Sequence, residues 1–171
     1  EAARAGTVRN RSGDPYKPAS LRSYERAMRL RVLPRLGDVR LSELRRPDLQ
    51  EFADELLADG LDPSTIQVTL LPLRAIFRRA LTRGELVANP CDRLALPAVR
   101  GRRERFASPS EAEALIGALP APQRPLWATA LYAGLRRGEL QALRAQDVDL
   151  AAGVIRVERG WDFKEGAIEL K

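Results

Sequence analysis

The chain has 171 residues, enough for one ordinary domain or two small ones, and 44% of them are hydrophobic, which excludes a disordered polypeptide. The formal charge of +6 is unevenly spread: residues 1–107 hold 21 Lys+Arg against 14 Asp+Glu, and residues 108–171 hold 8 against 9. That imbalance points the first part toward a polyanion, while the apolar runs are too short and too often broken by Arg or Pro for a transmembrane helix.

Arginine supplies 26 of the 29 basic residues, a usage that a GC-rich gene also produces, so the placement of the arginines says more than their number. The single cysteine, Cys91, has no internal disulfide partner and suits a reducing cytoplasm. No signal peptide is visible, and a start at Glu1 instead of Met reads as a processed or cut N-terminus.

Residues 1–18 are polar, carry Gly6, Gly13, Pro15 and Pro18, and read as a loose lead-in. A helix is expected from Ser20, an N-capping residue, with Leu21, Tyr24, Met28 and Val32 at helical spacing and Pro34 and Gly37 as its stop. A second helix opens at Pro47 and carries the stripe Leu49, Phe52, Ala53, Leu56 and Leu57, closed by Gly60. A third spans 64–82, with Ile66, Leu70, Leu73, Phe77 and Leu81 facing a core and Pro72 expected to kink or split it. Arg74 and Arg78 share a face of this helix, with Arg79 adjacent and few acids between them, which makes a DNA-facing surface or an ordinary solvated face. Asn89-Pro90 marks a turn, and 91–96 is expected to be a short helix. The bundle so defined runs over 19–96.

Residues 97–107 form a basic linker with Arg100, Arg102, Arg103 and Arg105, and a second domain is expected over 108–171. Ser108-Pro109-Ser110-Glu111 is a capping box that starts a helix with Ala112, Leu115, Ile116 and Leu119 as its stripe. Another helix covers 124–133 with Leu126, Trp127, Ala130 and Leu131 apolar, and Gly134 is placed as its C-cap. A further helix is expected over 137–144. Residues 154–157 alternate as a strand, with 167–170 as the expected hairpin partner. Trp127 and Trp161 read as packing residues.

The stretch YAGLRRGEL at 132–140 is electrostatically awkward, because two cations sit where the positive end of a helix dipole already lies. Arg136 falls on the tight connection between two helices, where backbone geometry can aim its side chain. Glu139, three residues on, can accept from exposed N–H groups or from Arg136 and so orient the guanidinium. A planar guanidinium held at a fixed point suits two oxygens of a phosphodiester, and it stabilises charge that develops there.

GLRRGEL, followed by Leu143 and Gln146-Asp147-Val148-Asp149-Leu150, resembles the first catalytic-arginine box of the tyrosine recombinases, the phage-integrase type of site-specific DNA recombinase. Upstream, LRSYERAMRLRVLPRLGDVRLSEL, the helix over 47–59 and LRAIFRRALTRGELVANP resemble their helical core-binding domain, and the linker with SPSEAEALIGAL resembles the entry to their catalytic domain. The resemblance runs from about residue 17 to the end of the chain. It implies a mainly α fold, in which a helical SAM-like core-binding bundle precedes the start of an α+β catalytic domain with a small β-hairpin.

By the same resemblance, Arg136 binds the scissile phosphate and Glu139 supports it. A lysine on the following hairpin gives a proton to the leaving 5′ oxygen. Lys171 and Lys164 are the candidates, and IELK favours Lys171. Arg74, Arg78, Arg79, Arg100, Arg102 and Arg103 are the candidate DNA contacts. The implied partners are a double-stranded DNA core site and, in the intact protein, a tetramer on DNA, in the cytoplasm, with no membrane, cofactor or metal. The family's later His box, second Arg and nucleophilic Tyr have no match: the chain has no histidine, and Tyr16, Tyr24 and Tyr132 come too early. It reads as a fragment expected to bind DNA without cleaving it. A non-catalytic helical DNA-binding regulator is the alternative, supported by residues 1–107 but leaving Arg136 with Glu139 unexplained.

Overall fold

The computed structural model describes residues 2–10, 12–101 and 105–169. The chain divides into two compact units, Glu1–Arg102 and Arg103–Lys171. The first is helical and the second mixes helices with two small antiparallel strand pairs, so the fold is mainly α.

In the first unit, α1 (Pro18–Ala27) starts two residues before the expected Ser20, because Pro18 occupies the first turn with Lys17 as N-cap. Pro34 does not stop this region. A π-helical turn at Met28–Val32 leads straight into α2 (Leu33–Leu36), where Pro34 sits in the first turn. The wider turn accommodates the ring and the missing N–H. The lead-in is tied down as well: Arg9 and Pro15 form an antiparallel bridge, Arg4 pairs with Glu25, and Tyr16 meets Tyr24 edge-on at 5.9 Å.

α3 (Arg46–Ala58) opens with Asp48 reaching back to the N-cap, the Arg45 N–H donating to Asp48 Oδ2 at 2.7 Å. It ends in a Schellman motif: Gly60 takes φ +80, and Leu61 N–H reaches the Leu56 carbonyl at 3.1 Å. α4 (Pro63–Thr82) is capped by Asp62, whose side chain accepts from Ser64 N–H at 2.8 Å. Pro72 neither splits nor ends α4. It is buried along an apolar cavity with Tyr24, Met28 and Ile76, and this packing holds the helix together where one backbone hydrogen bond is missing.

The core gathers Val32, Leu44, Leu49, Phe52, Ala53, Leu56, Ile66, Leu70, Leu73, Phe77 and Cys91, with Met28, Leu36 and Leu61 packed on its edge. Leu57 and Leu81, expected in the stripes, lie on the exposed rim, and Ala80 is buried in α4 instead. Residues 91–93 form a turn and 94–96 have no regular structure, so the expected helix is absent. Asn89 Oδ1 accepts from Cys91 N–H at 3.0 Å. Gln50 both donates to the Ala95 carbonyl at 2.9 Å and accepts from its N–H at 2.8 Å, which holds the segment extended.

Burial pushes the Cys91 thiol up from its ordinary value of 9.0 to about 12. The reactive thiolate is then about a thousandfold scarcer than in the unfolded chain. At pH 8 the native thiol is expected to react with a disulfide reagent slower by that order, and the labelling rate should rise to the unfolded rate in denaturant. A native rate equal to the denatured one would show that this side of the core is open.

The second unit begins with α5 (Pro109–Gly117), whose Ser108 N–H donates to Glu111 Oε2 at 2.8 Å while Glu111 N–H donates to Ser108 Oγ at 3.2 Å. Arg124 caps its far end, donating to the carbonyls of Gly117 at 3.0 Å and Leu119 at 2.9 Å. α6 (Arg124–Ala133) contains no buried residue, and Leu115, Leu126, Trp127 and Leu131 are exposed, so of the apolar stripes expected for α5 and α6 only Ala112 is fully buried, with Ile116, Leu119 and Ala130 half-buried.

α7 (Arg137–Ala142) is two residues shorter than expected because Leu143 is extended. β1 (Val148–Asp149) pairs with β2 (Val154–Ile155), and β3 (Arg159–Asp162) pairs with β4 (Gly166–Glu169). The expected pairing of 154–157 with 167–170 is therefore wrong. Turn chemistry chose otherwise: Asp149 accepts from Ala152 N–H at 2.9 Å and closes the first hairpin. Asp162 accepts from Lys164 N–H at 3.0 Å and Glu165 N–H at 3.2 Å and closes the second.

Candidate nucleic-acid interface

The site is built at the joint between α6 and α7. Gly134 ends α6 in the left-handed region, φ +67, where a side chain would be strained. Arg136 follows in extended backbone (φ −68, ψ 153) and becomes the N-cap of α7. Glu139 returns from the third helical position with both oxygens engaged: Oε2 accepts from Arg136 N–H and Oε1 from its Nη1, each at 2.8 Å. The carboxylate is sheltered, its side chain 13% exposed, whereas the Arg136 side chain is 87% exposed.

One sheltered anion thus fixes an exposed cation. The backbone hydrogen bond from Arg136, and then its guanidinium, holds the Glu139 carboxyl below its ordinary range, so it is ionised at neutral pH. The guanidinium keeps further N–H donors for an anionic ligand, and its fork matches two phosphate oxygens. Arg137 is exposed on the first turn of α7.

Behind this joint, α7 lies directly on β3. A Cβ at Gly138 would stand 2.9 Å from the Trp161 carbonyl oxygen and 3.3 Å from its nitrogen. Asp147 is buried just past α7, and its Oδ2 accepts from Arg144 N–H at 2.9 Å and from Arg159 Nη2 on β3 at 2.5 Å. Sequence reasoning missed both contacts. The available signal was the spacing of Arg144 to Asp147, the same three-residue reach of a carboxylate back to the N-cap N–H as Glu139 to Arg136.

Of the lysine candidates, Lys164 sits exposed in the β3–β4 turn with its Nζ over the Phe163 ring at 5.8 Å, and Lys171 lies outside the described residues. Arg102 and Arg103 also lie outside them, and Arg100 is exposed at the end of the first unit.

On α4 the three arginines differ. Arg74 is half-buried and close enough to Cys91 to act on its thiol. Arg78 is exposed near Tyr24, and Arg79 is exposed along an apolar cavity with Tyr24, Met28 and Ile76. Elsewhere the positive charge is locally offset: Arg35 pairs with Glu55 at 3.1 Å and Asp59 at 2.5 Å, and the linker's Arg105 with Glu111 at 2.7 Å. Among the described residues no group of three His, Cys, Asp or Glu could hold a metal ion, and no helix is long and apolar enough to cross a membrane.

Comparison with known proteins gives a consistent picture. The family model described as phage integrase, N-terminal SAM-like domain, matches residues 15–57. A tyrosine recombinase of Thermosipho africanus is 27% identical over 160 residues, covering 88% of this chain and 56% of the relative. A putative prophage phiRv2 integrase of Mycobacterium tuberculosis is 38% identical over 89 residues, covering 51% of this chain and 24% of the relative. Among solved structures, the Tn1549 transposon integrase in complex with transposon right end DNA superposes with a TM-score of 0.77 at 24% identity, over 99% of this chain and 56% of that one. A lambda integrase dimer bound to a COC′ core site gives 0.62 at 17% identity, over 91% of this chain and 55% of that one. The chain spans 56% of the Thermosipho recombinase and only 24% of the mycobacterial integrase.

Proposed function

We propose that the chain, which is similar to phage-integrase-type tyrosine recombinases over most of its length, is the DNA-holding and phosphate-binding portion of a site-specific DNA recombinase. The observation that carries this reading is the exposed Arg136 guanidinium held by a sheltered Glu139. In the complete enzyme a tyrosine oxygen attacks the scissile phosphorus, the bond to the 5′ oxygen breaks, and a 3′-phosphotyrosyl link forms. Arg136 holds the phosphate oxygens and stabilises their added charge, while Glu139 holds Arg136. A hairpin lysine, Lys171 ahead of Lys164, gives the leaving oxygen its proton. The reaction conserves the number of phosphodiester bonds, and arginine charge takes the place of a metal ion.

The chain has no histidine, and its tyrosines at 16, 24 and 132 lie before Arg136. It therefore supplies binding and not the nucleophile, and acts on double-stranded DNA as part of a longer recombinase that assembles as a tetramer on two core sites. The solved relatives complexed with DNA support the choice of partner.

Two experiments test this. The complete protein, incubated with core-site duplex, should form a covalent protein–DNA adduct through a 3′ phosphate. Tight binding with no adduct would favour the non-catalytic regulator. In the 171-residue chain, Arg78→Ala and Arg79→Ala should each weaken duplex binding and reduce the slope of log affinity against log salt by about 0.9, the release of one phosphate-bound counterion. Fluorescence anisotropy across a salt series measures this, and an unchanged slope would remove that arginine from the interface.

A further inference from the structure

We propose that Asp147 is a positioning residue: with Arg159 and Gly138 it locks the β3–β4 hairpin at one height along α7, and so at a fixed place relative to Arg136. The inference rests on the recombinase reading above and adds to it a reason for the buried ion pair.

Three observations converge. Gly138 is the second residue of α7, and the Trp161 backbone of β3 packs where a side chain would stand, 2.9 Å from a Cβ. At the other end of α7 the buried Asp147 carboxylate takes two donors on one oxygen, Arg144 N–H from the segment leaving α7 and Arg159 Nη2 from β3. The Asp147 carbonyl also accepts from Arg156 N–H at 2.8 Å, tying in the strand that leads to β3. β3 is thus fixed to α7 by steric contact at one end and by charge at the other.

The pair is not a surface bridge. The Arg159 side chain is 21% exposed, that of Asp147 is 11% exposed, and the Arg159 Nε is buried without a hydrogen-bond partner. Burying a guanidinium with an unpartnered N–H is a poor way to gain stability, since an apolar pair of similar volume packs at least as well. What an ion pair with a shared oxygen does provide is a single register: sliding β3 along α7 leaves a buried charge alone. Register matters here because β3 carries the hairpin beside the helix that Arg136 caps. In a reaction that needs a phosphate-holding arginine and a proton donor on one phosphodiester, misplacement by about 1 Å costs about a hundredfold in rate.

The test uses the complete recombinase with Asp147→Asn, Arg159→Gln and the double variant. Gly138→Ala is a second probe that moves β3 by steric contact without touching a charge. Duplex affinity and single-turnover cleavage are measured on a core site. They are measured again on the same site with sulfur replacing the scissile 5′ oxygen, because a thiolate leaves without a proton. Affinity should stay within about twofold, and cleavage of the oxygen substrate should fall by about ten- to a hundredfold. The double variant should be no slower than the slower single variant, and the sulfur substrate should recover most of the loss. Arg136→Ala, which acts on the phosphate itself, should gain little from sulfur.

Parent-level cleavage by the folded variants, additive losses, or a loss that sulfur does not recover would each overturn the proposal. If the parent itself forms no adduct, the recombinase reading fails instead. Amide exchange in the 171-residue chain then decides the tie alone. Asp147→Asn should speed exchange across β3–β4 by tenfold or more and leave α4 unchanged, and equal exchange in the hairpin would refute it.

Discussion

In the complete recombinase, Arg136→Ala is expected to lower the single-turnover cleavage rate by about a thousandfold while duplex affinity changes by less than about tenfold. The asymmetry follows from the reaction. A phosphodiester in bound DNA carries one negative charge, and many arginines along the duplex share the work of holding it. At the moment of attack the non-bridging oxygens gain charge at one phosphate only, and there a single oriented guanidinium contributes most. Arg136→Lys keeps the charge but loses the planar fork, so it should recover a minor part of the rate. Glu139 sets the acid limit of the arrangement. Its folded-state carboxyl is held below the ordinary value of 4.5 by the Arg136 N–H and then by the Arg136 side chain, so its support is fully present above that value and is lost as pH falls through the lowered one. Between pH 6 and 9 any change in rate must come from another group. Rapid-quench cleavage assays with wild type and both variants measure this. An Arg136→Ala variant that cleaves within tenfold of wild type would remove Arg136 from the phosphate.

The site was more legible than the strand pairing next to it, for physical reasons. Arg136 and Glu139 are three residues apart, and a local cap is written in local spacing: Gly134 must take a positive φ, and a carboxylate at the third helical position must reach back. The stripes of α3 and α4 were readable for a similar reason, since Leu49, Phe52 and Leu56 repeat at the helical period. The hairpins were not, because several short apolar segments alternate equally well and the choice among them lay with Asp149 and Asp162, whose side chains close particular turns. Pro34 and Pro72 misled in the same direction. A proline tells what its own residue lacks, whereas a π-turn before it or packing around it decides whether the helix survives. The Asp147–Arg159 pair joins residues twelve apart through the folded unit, and no periodicity announces it.

Phe77→Ala is expected to cost the first unit about 3–5 kcal/mol, against a total near 5–15 kcal/mol for an ordinary domain. Phe77 is fully buried on α4 among Leu70, Leu73, Phe52 and Leu49, where its ring has no solvent-facing edge and the cavity cannot easily close. Leu81→Ala on the same helix, at 39% exposure, should cost about 1 kcal/mol or less. Urea denaturation followed by far-UV circular dichroism measures both, and the Phe77 variant should lose about half or more of its midpoint without a change in m. A loss below about 1 kcal/mol would mean that Phe77 is not in the core. The comparison also separates folding from recognition, because α4 carries the core on one face and Arg78 and Arg79 on its exposed surface. Phe77→Ala should lower apparent DNA affinity only by the fraction unfolded and leave the salt slope of the folded fraction intact. Arg78→Ala should do the reverse, flattening the slope with the midpoint preserved. If Phe77→Ala flattens the slope as well, α4 does not present its arginines to DNA as a rigid surface.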